Sequence, residues 1–116
     1  MPEKPAYKKI TKASVRYSDS PICLRVGGDM ELEIRKEGDD YYLVEPDKAG
    51  TGSLSDCRGA IPLLNGAHVV IGRQEISSEC LDLPDSISRQ HLLIKREFDM
   101  IYLFDLHSKN GSFLAG

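Results

Sequence analysis

The sequence predicts an all-β domain, either a sandwich or a barrel, with little or no helix. Short apolar runs alternate with turn-forming stretches rich in Gly, Pro, Asn, Asp and Ser along most of the 116 residues. No segment of ten or more residues shows the hydrophobic period of an amphipathic helix. Many short strands at close spacing are typical of two packed sheets or of a closed barrel.

The clearest pair of strands lies in the first half of the chain. The run DMELEIRKE alternates Met30, Leu32 and Ile34 with charged residues, which is the period of a strand with one buried face. The turn residues GDD follow, and YYLVEP resumes the extended pattern, so these two runs predict a hairpin. Further strands are predicted in the runs KASVRY, PICLRV, AIPLL, HVVIG, HLLIKRE and MIYLFDL.

Composition limits the classes of protein and partner. A chain of 116 residues with 41% hydrophobic and 28% charged residues predicts one soluble globular domain with a single core. The net charge of -3 argues against a general nucleic-acid binder, which shows a basic face. No apolar run approaches the roughly 18 residues of a membrane span, and MPEKPAYKKI has no apolar signal core. We therefore expect no nucleic-acid or membrane partner.

The cysteines and histidines predict neither disulfides nor a metal site. Cys23, Cys57 and Cys80 are odd in number and lack the spacing of metal ligands. Reduced thiols are typical of a cytoplasmic protein, which is the location that we expect. The three histidines lie in different segments without metal spacing, so we also expect no metal and no cofactor.

The residues that could carry chemistry lie in three predicted loops. Arg73 follows a strand and a glycine in IGRQ, while SISRQH and DLHSKNGS lie before and after two further strands. Such loops, gathered at one end of a rigid sandwich, would form an anion site. The Arg guanidinium is a planar fork of donors that matches phosphate oxygens, and a Ser hydroxyl adds another donor. Asn110 can both donate and accept, which suits a peptide backbone.

Ser88 and His91 are also close enough in sequence to raise the question of a nucleophile and its base. A catalytic pair of this kind needs an orienting acid and an oxyanion hole. No Gly-x-Ser-x-Gly elbow is present in the sequence. We therefore expect these two residues to serve binding, and the protein not to be an enzyme.

Taken together, IGRQ, SRQH and DLHSKNGSFLAG resemble the forkhead-associated (FHA) domain, which binds phosphothreonine peptides. The pattern of that family is Gly-Arg, then Ser-x-x-His, then Ser-x-Asn-Gly, in this order and at similar intervals. The resemblance implies a two-sheet β-sandwich of the FHA/SMAD type and a phosphothreonine-dependent module in Ser/Thr kinase signalling. The alternative is a scaffold of the same fold that assembles proteins without phosphate, although a scaffold would not need the Arg, Ser and Asn together.

The resemblance implies five residues that contact the phosphopeptide: Arg73, Ser88, Arg89, Lys109 and Asn110. Three more would support the binding loops: Gly72, His91 and Gly111. Arg73 and Ser88 match the phosphate-binding residues of the family, and Asn110 matches the residue that holds the peptide backbone. Lys109 departs from the pattern, because the family commonly has a Thr there that also touches the phosphate. His91 matches a residue that braces the loops without touching the ligand.

The order of the segments departs from the family. Past its Asn-Gly the family continues with a strand, a tight turn and three more strands, the last of which pairs beside the first. Here only GSFLAG follows, whereas residues 8–35 resemble those closing strands and residues 41–116 the N-terminal and central ones. We therefore expect residues 1–116 to form a single, circularly permuted FHA-like domain. The alternative is a truncated FHA domain behind an unrelated N-terminal extension.

The permutation predicts specific strand pairs. SFLAG should lie antiparallel to KKITK, and MELEIR should pair with YYLVE inside one sheet. The chain ends should then lie at the end of the sandwich away from the phosphate loops. A second chain could also supply the N-terminal strands, so we expect a monomer or a strand-swapped dimer.

Overall fold

The computed structural model describes residues 6–28, 30–46, 53–54, 59–74 and 83–115. Within these ranges the secondary structure consists of strands, without an α-helix. In chain order they are β1 Tyr7–Ile10, β2 Lys12–Arg16, β3 Ile22–Val26, β4 Met30–Glu37, β5 Asp40–Val44, β6 Ile61–Pro62, β7 His68–Ile71, β8 Leu92–Glu97, β9 Met100–Asp105 and β10 Ser112–Ala115.

The strands form two antiparallel sheets. One sheet has six strands in the order β1-β10-β3-β4-β5-β6, and the other has four in the order β2-β9-β8-β7. The two inner faces pack together and form the hydrophobic core, to which both sheets contribute. The predicted all-β sandwich is therefore confirmed.

The hydrophobic period of the sequence explains which face of each strand is buried. In β4, Met30, Leu32 and Ile34 are buried, while Glu31 between them is exposed. Because successive side chains of a strand point to opposite faces, one side of β4 faces the core and the other faces away from it. Side chains of the second sheet, such as Leu103, are equally buried and complete the core.

Both strand pairs predicted above are present in the structure. β1 runs antiparallel to β10, with Tyr7 opposite Ala115 and Ile10 opposite Ser112. β4 pairs with β5 through a turn in which Gly38 has a φ of 64°. The segment before β5 contains four strands, one more than the three expected after the tight turn of the family. These pairs fit a permuted FHA sandwich, and the permutation itself stays a prediction.

The register of β1 and β10 also sets the position of the chain ends. Tyr7 and Ala115 lie at one end of this strand pair, and Ile10 and Ser112 lie at the other. From that second end the chain crosses to the four-stranded sheet, and the Thr11 carbonyl accepts the Asp105 N–H at 2.9 Å. The outer ends of β1 and β10 therefore lie away from the loop between β9 and β10.

Candidate functional site

The three loops singled out by the sequence meet at one end of the sandwich. The Nε–H of Arg73 donates to the carbonyl of Ile87 at 2.6 Å, and its backbone N–H donates to the carbonyl of Ser88 at 3.2 Å. The hydroxyl oxygen of Ser88 accepts the backbone N–H of Lys109 at 3.0 Å. Residues separated by up to 36 positions in the chain are thus brought into one continuous hydrogen-bonded arrangement.

Gly72 allows the loop around Ser88 to approach the end of β7. A Cβ atom at Gly72 would overlap the carbonyl oxygen of Arg89 and lie 2.9 Å from the Cα of Gln90. The close approach of two backbone segments therefore requires glycine here, although no positive φ is involved. The bond from Arg73 to Ile87 then fixes the guanidinium by its Nε, and its terminal nitrogens have no partner among the described residues.

The hydrogen bonds of Ser88 leave its hydroxyl proton available. The backbone N–H of Ser88 donates to Nδ1 of His91 at 3.0 Å, while its Oγ accepts from Lys109. A hydroxyl that accepts one bond can still donate its own proton. Ser88 can therefore donate to a phosphate oxygen without losing the bond that holds Lys109.

His91 joins the loops beneath the site. Its side chain is fully buried, and its Nδ1 accepts from Ser88, so its Nε2 carries the proton and donates to the carbonyl of Gly111 at 2.6 Å. The backbone of His91 also bonds to Ile71 and Leu106. This geometry is that of a brace between the end of β7, the Ser88 loop and the loop after β9.

The loop between β9 and β10 is held by Asp105, which the sequence analysis did not single out. Its carboxylate accepts bonds from the hydroxyl of Ser108 at 2.6 Å, from the N–H of Ser108 at 3.1 Å and from the hydroxyl of Ser112 at 2.7 Å. The Ser108 hydroxyl oxygen in turn accepts the N–H of Gly111 at 3.0 Å. The signal for this network was an Asp three residues before a Ser, a spacing at which side chains often bond the backbone of a turn.

The charge of Asp105 follows from these contacts. Partial burial acts to raise the pKa of Asp105, but the hydrogen bonds from Ser108 and Ser112, together with the nearby His91, outweigh burial and lower the pKa below its ordinary value. The carboxylate is therefore ionised at neutral pH and keeps all three bonds. These bonds also hold His107 at a φ of 55°, a left-handed conformation that costs a non-glycine residue about 1 kcal/mol.

Asn110 bridges two of the loops. Its Nδ2 donates to the carbonyl of Ser86 at 2.8 Å, and the side chain is otherwise exposed. Its amide oxygen has no partner among the described residues and is available to accept an N–H of a peptide. Gly111, which follows, has a φ of 87° and accepts bonds from both Nε2 of His91 and the N–H of Gly27. A residue with a side chain would be strained at Gly111.

Exposed cations surround the pair formed by Arg73 and Ser88. Arg89 and Lys109 lie in the same loops, are exposed, and form no ion pair with other described residues. Lys9 of β1 adds a third exposed cation, because its Cε lies 3.2 Å from the point where a Cβ of Gly111 would be. These cations outnumber the exposed Asp85 of the Ser88 loop, although the whole chain has a net charge of -3.

Two contributors to the site lie outside the three motifs. They are Lys9 in β1 and Gly27 in the turn between β3 and β4, both close to Gly111. Neither belongs to a recognisable pattern in the sequence, since their role depends only on contacts between distant parts of the chain. Their positions could not be predicted without the structure.

Other features that the sequence raised lie away from these loops or outside the described residues. Cys23 is a free, partly buried thiol, and burial, with Glu33 and Glu31 nearby, raises its pKa. Cys57 and Cys80 lie outside the described residues. Within the described ranges, no group of three or more His, Cys, Asp or Glu side chains could hold a metal ion. In the same ranges, no helix is long and apolar enough to span a membrane.

Comparison with known proteins agrees with this geometry. The sequence model of the FHA domain matches residues 69–116, which contain β7 except for His68, β8 to β10, and the predicted contact residues from Arg73 to Asn110. No curated protein and no solved structure matches the chain. FHA domains are phosphopeptide-binding modules and not enzymes, and the roles of Ser88 and His91 in binding stay a prediction. Residues 69–116 of this chain are therefore similar to the FHA domain family.

Proposed function

We propose that the protein is a phosphothreonine-dependent binding module that docks a partner modified by a Ser/Thr kinase. The observation that carries the proposal is the meeting of Arg73, Ser88 and Asn110, from three separate loops, at one end of the sandwich. The FHA match supports phosphopeptide binding in general. The preference for threonine and the link to kinase signalling go beyond what the family match supports.

The phosphate would be bound by Arg73 and the hydroxyl of Ser88. A phosphoryl group carries a charge of about -1.5 to -2 and three strong acceptor oxygens at neutral pH. The terminal nitrogens of Arg73 can donate to two of these oxygens in parallel, and Ser88 can donate its hydroxyl proton. Arg89 and Lys109 would add longer-range attraction from the exposed rim.

Asn110 would hold the backbone of the ligand next to the phosphorylated residue. Its Nδ2 is already bonded to Ser86, which fixes the plane of the amide, and its Oδ1 faces no partner among the described residues. A preoriented acceptor loses little side-chain entropy on binding. This arrangement supports recognition of a peptide rather than of inorganic phosphate alone.

The proposal includes a preference for phosphothreonine over phosphoserine, in line with the resemblance to the family. The physical basis would be a small apolar contact for the extra methyl group, which contributes about 0.8 kcal/mol, or roughly fourfold in affinity. We also propose a cytoplasmic location for the interaction, because Cys23 is a free thiol.

A peptide library tests the proposed function. The protein is titrated with one degenerate library in three forms, carrying phosphothreonine, phosphoserine or unmodified threonine at the fixed position. We expect tight binding of the first form, weaker binding of the second and no measurable binding of the third. Equal binding of all three forms would instead support the phosphate-independent scaffold.

A further inference from the structure

We propose that Gly27 is a positioning residue for the phosphopeptide site. It lies in the turn between β3 and β4, outside residues 69–116, and acts on Arg73 and Asn110 through the backbone of Ser86 and Ile87. This inference rests on the proposed function and extends the site to a part of the chain that the family match does not cover.

Gly27 lies directly against the loop that carries Ser86. Its N–H donates to the carbonyl of Gly111 at 2.9 Å, and its φ of 67° is one that residues with side chains rarely adopt. A Cβ at this position would lie 2.9 Å from Oγ and 3.2 Å from the carbonyl oxygen of Ser86, and 3.1 Å from Cδ1 of Ile87. The hydroxyl could rotate away, but the carbonyl can move only with the loop.

The carbonyls of Ser86 and Ile87, in the segment that packs against Gly27, orient the ligand-binding side chains. The carbonyl of Ser86 accepts Nδ2 of Asn110 at 2.8 Å, and the carbonyl of Ile87 accepts Nε of Arg73 at 2.6 Å. A shift of this short segment would therefore move both side chains at once. The position of this segment therefore depends on its close packing against Gly27.

The environment of Ser86 supports a packing contact rather than a polar one. Its hydroxyl oxygen is buried and has no hydrogen-bond partner among the described residues. Ile87 is fully buried in the core, and the side chains of both Ser86 and Ile87 pack closely against Gly27. The distance of Ser86 from the sandwich is therefore set by the absence of a side chain at residue 27.

The chain offers matched controls for a test. Gly38 has a φ of 64°, close to that of Gly27, but a Cβ there would meet nothing within 4 Å. Alanine at Gly38 therefore brings the same backbone strain without the contact. Gly28, in the same turn as Gly27, also has open space around it and no positive φ.

The experiment compares Gly27→Ala, Gly38→Ala and Gly28→Ala by melting temperature and by affinity for a phosphothreonine peptide, well below the melting temperature. We expect the first two variants to have lower melting temperatures because of backbone strain. Gly28→Ala should have the melting temperature of the wild type. Only Gly27→Ala should bind about tenfold more weakly or worse, since it misplaces charged hydrogen bonds. It should also shift the side-chain resonances of Arg73 Nε and Asn110 Nδ2, which Gly38→Ala should leave in place.

Ser86→Thr is a second variant in case Gly27→Ala does not fold. It adds a methyl group to the side chain that packs against Gly27, at a residue with ordinary φ, with the exposed Ser14→Thr as its control, and we expect the same loss of affinity. If the wild type binds and the Gly27 and Ser86 variants bind as tightly as their controls, the role of Gly27 is overturned. If the wild type binds no phosphopeptide, the proposed function fails, and the role of Gly27 fails with it.

Discussion

Arg73 is the residue on which phosphate recognition depends most. Its Nε is fixed by Ile87, and its terminal nitrogens have no partner among the described residues. We expect Arg73→Ala to weaken phosphopeptide binding about 30-fold or more, because a lost charge-assisted bond costs about 2 kcal/mol or more. Calorimetric titration would measure the change, and Arg73→Lys should recover only part of it, since the forked geometry is lost.

A matched control for Arg73→Ala is Arg16→Ala, because it removes the same charge from a different part of the surface. Its side chain is 74% exposed and lies 3.8 Å from Asp99 at the far end of the sandwich. Arg16→Ala should leave the affinity almost unchanged. Equal affinity of Arg73→Ala and the wild type would mean that phosphate is bound elsewhere.

Asp105 makes stability depend on pH. Because the folded protein lowers the pKa of Asp105, its contribution is fully present above the ordinary carboxyl value of about 3.9 and is lost as the pH falls through the lowered pKa. Asp105→Asn should reduce the free energy of unfolding at pH 7 by about 1–2 kcal/mol, allowing for solvent screening. Urea unfolding at pH 7 and at pH 3 should show a smaller difference at pH 3. The same difference at both values would show that the charge of Asp105 contributes nothing.

At the scale of elements, His91 joins the loops of the site through its buried side chain. His91→Ala would leave the N–H of Ser88 without its partner, remove one of the two bonds to the carbonyl of Gly111, and empty a fully buried position. We expect the free energy of unfolding to fall by about 2–4 kcal/mol, with weaker phosphopeptide binding as a consequence. Thermal unfolding and titration on the same sample separate the two effects. Full stability with lost binding would make His91 a ligand contact instead of a brace.

Periodicity predicted the strands well because burial of one face is a local property. The alternation in β4 and the turn at Gly38 together indicated the hairpin with β5, and the structure shows that hairpin. The pairing of β1 with β10 joins the two ends of the sequence. No local pattern predicts such a pair, and only the resemblance to the FHA family gave a reason to expect it.

Only those residues of the site that belong to the sequence motifs could be predicted. Arg73 and Ser88 could be expected close together because the family pattern includes both, and the structure brings them together. The contact of Gly27 with Ser86 depends on how two distant loops pack, and the sequence contains no signal for it. The role of Asp105 could be predicted in part. Its bond to Ser108 is local in sequence, whereas its bond to Ser112 depends on the conformation of the turn.

At the scale of the whole molecule, the N-terminal strands belong to the core. Leu24, Leu32 and Ile34 are fully buried between the sheets, and β3 lies between β10 and β4. Deleting residues 8–35 should therefore abolish cooperative thermal unfolding, because both the core and the six-stranded sheet would be incomplete. A folded and binding-competent deletion variant would show that these residues are a dispensable extension.

A rejoined chain is the control for that deletion. Tyr7 and Ala115 are direct partners in the β1–β10 pair, so a short turn can link them, and new ends can be opened at Gly38. Because this variant keeps every strand, we expect it to fold and to bind phosphopeptide like the wild type. Light scattering on both proteins would distinguish a monomer from a strand-swapped dimer.

The central claim is that a phosphothreonine peptide binds at the loops around Arg73, Ser88 and Asn110. Backbone and side-chain amide resonances, followed during titration with such a peptide, test it most directly. We predict saturable shifts at residues 72–74, 86–91 and 107–111, and none with the unphosphorylated peptide. Shifts confined to the opposite end, where Tyr17, Asp19, Lys36, Tyr41 and Asp99 line a polar pocket, would contradict the claim, as would identical shifts with both peptides.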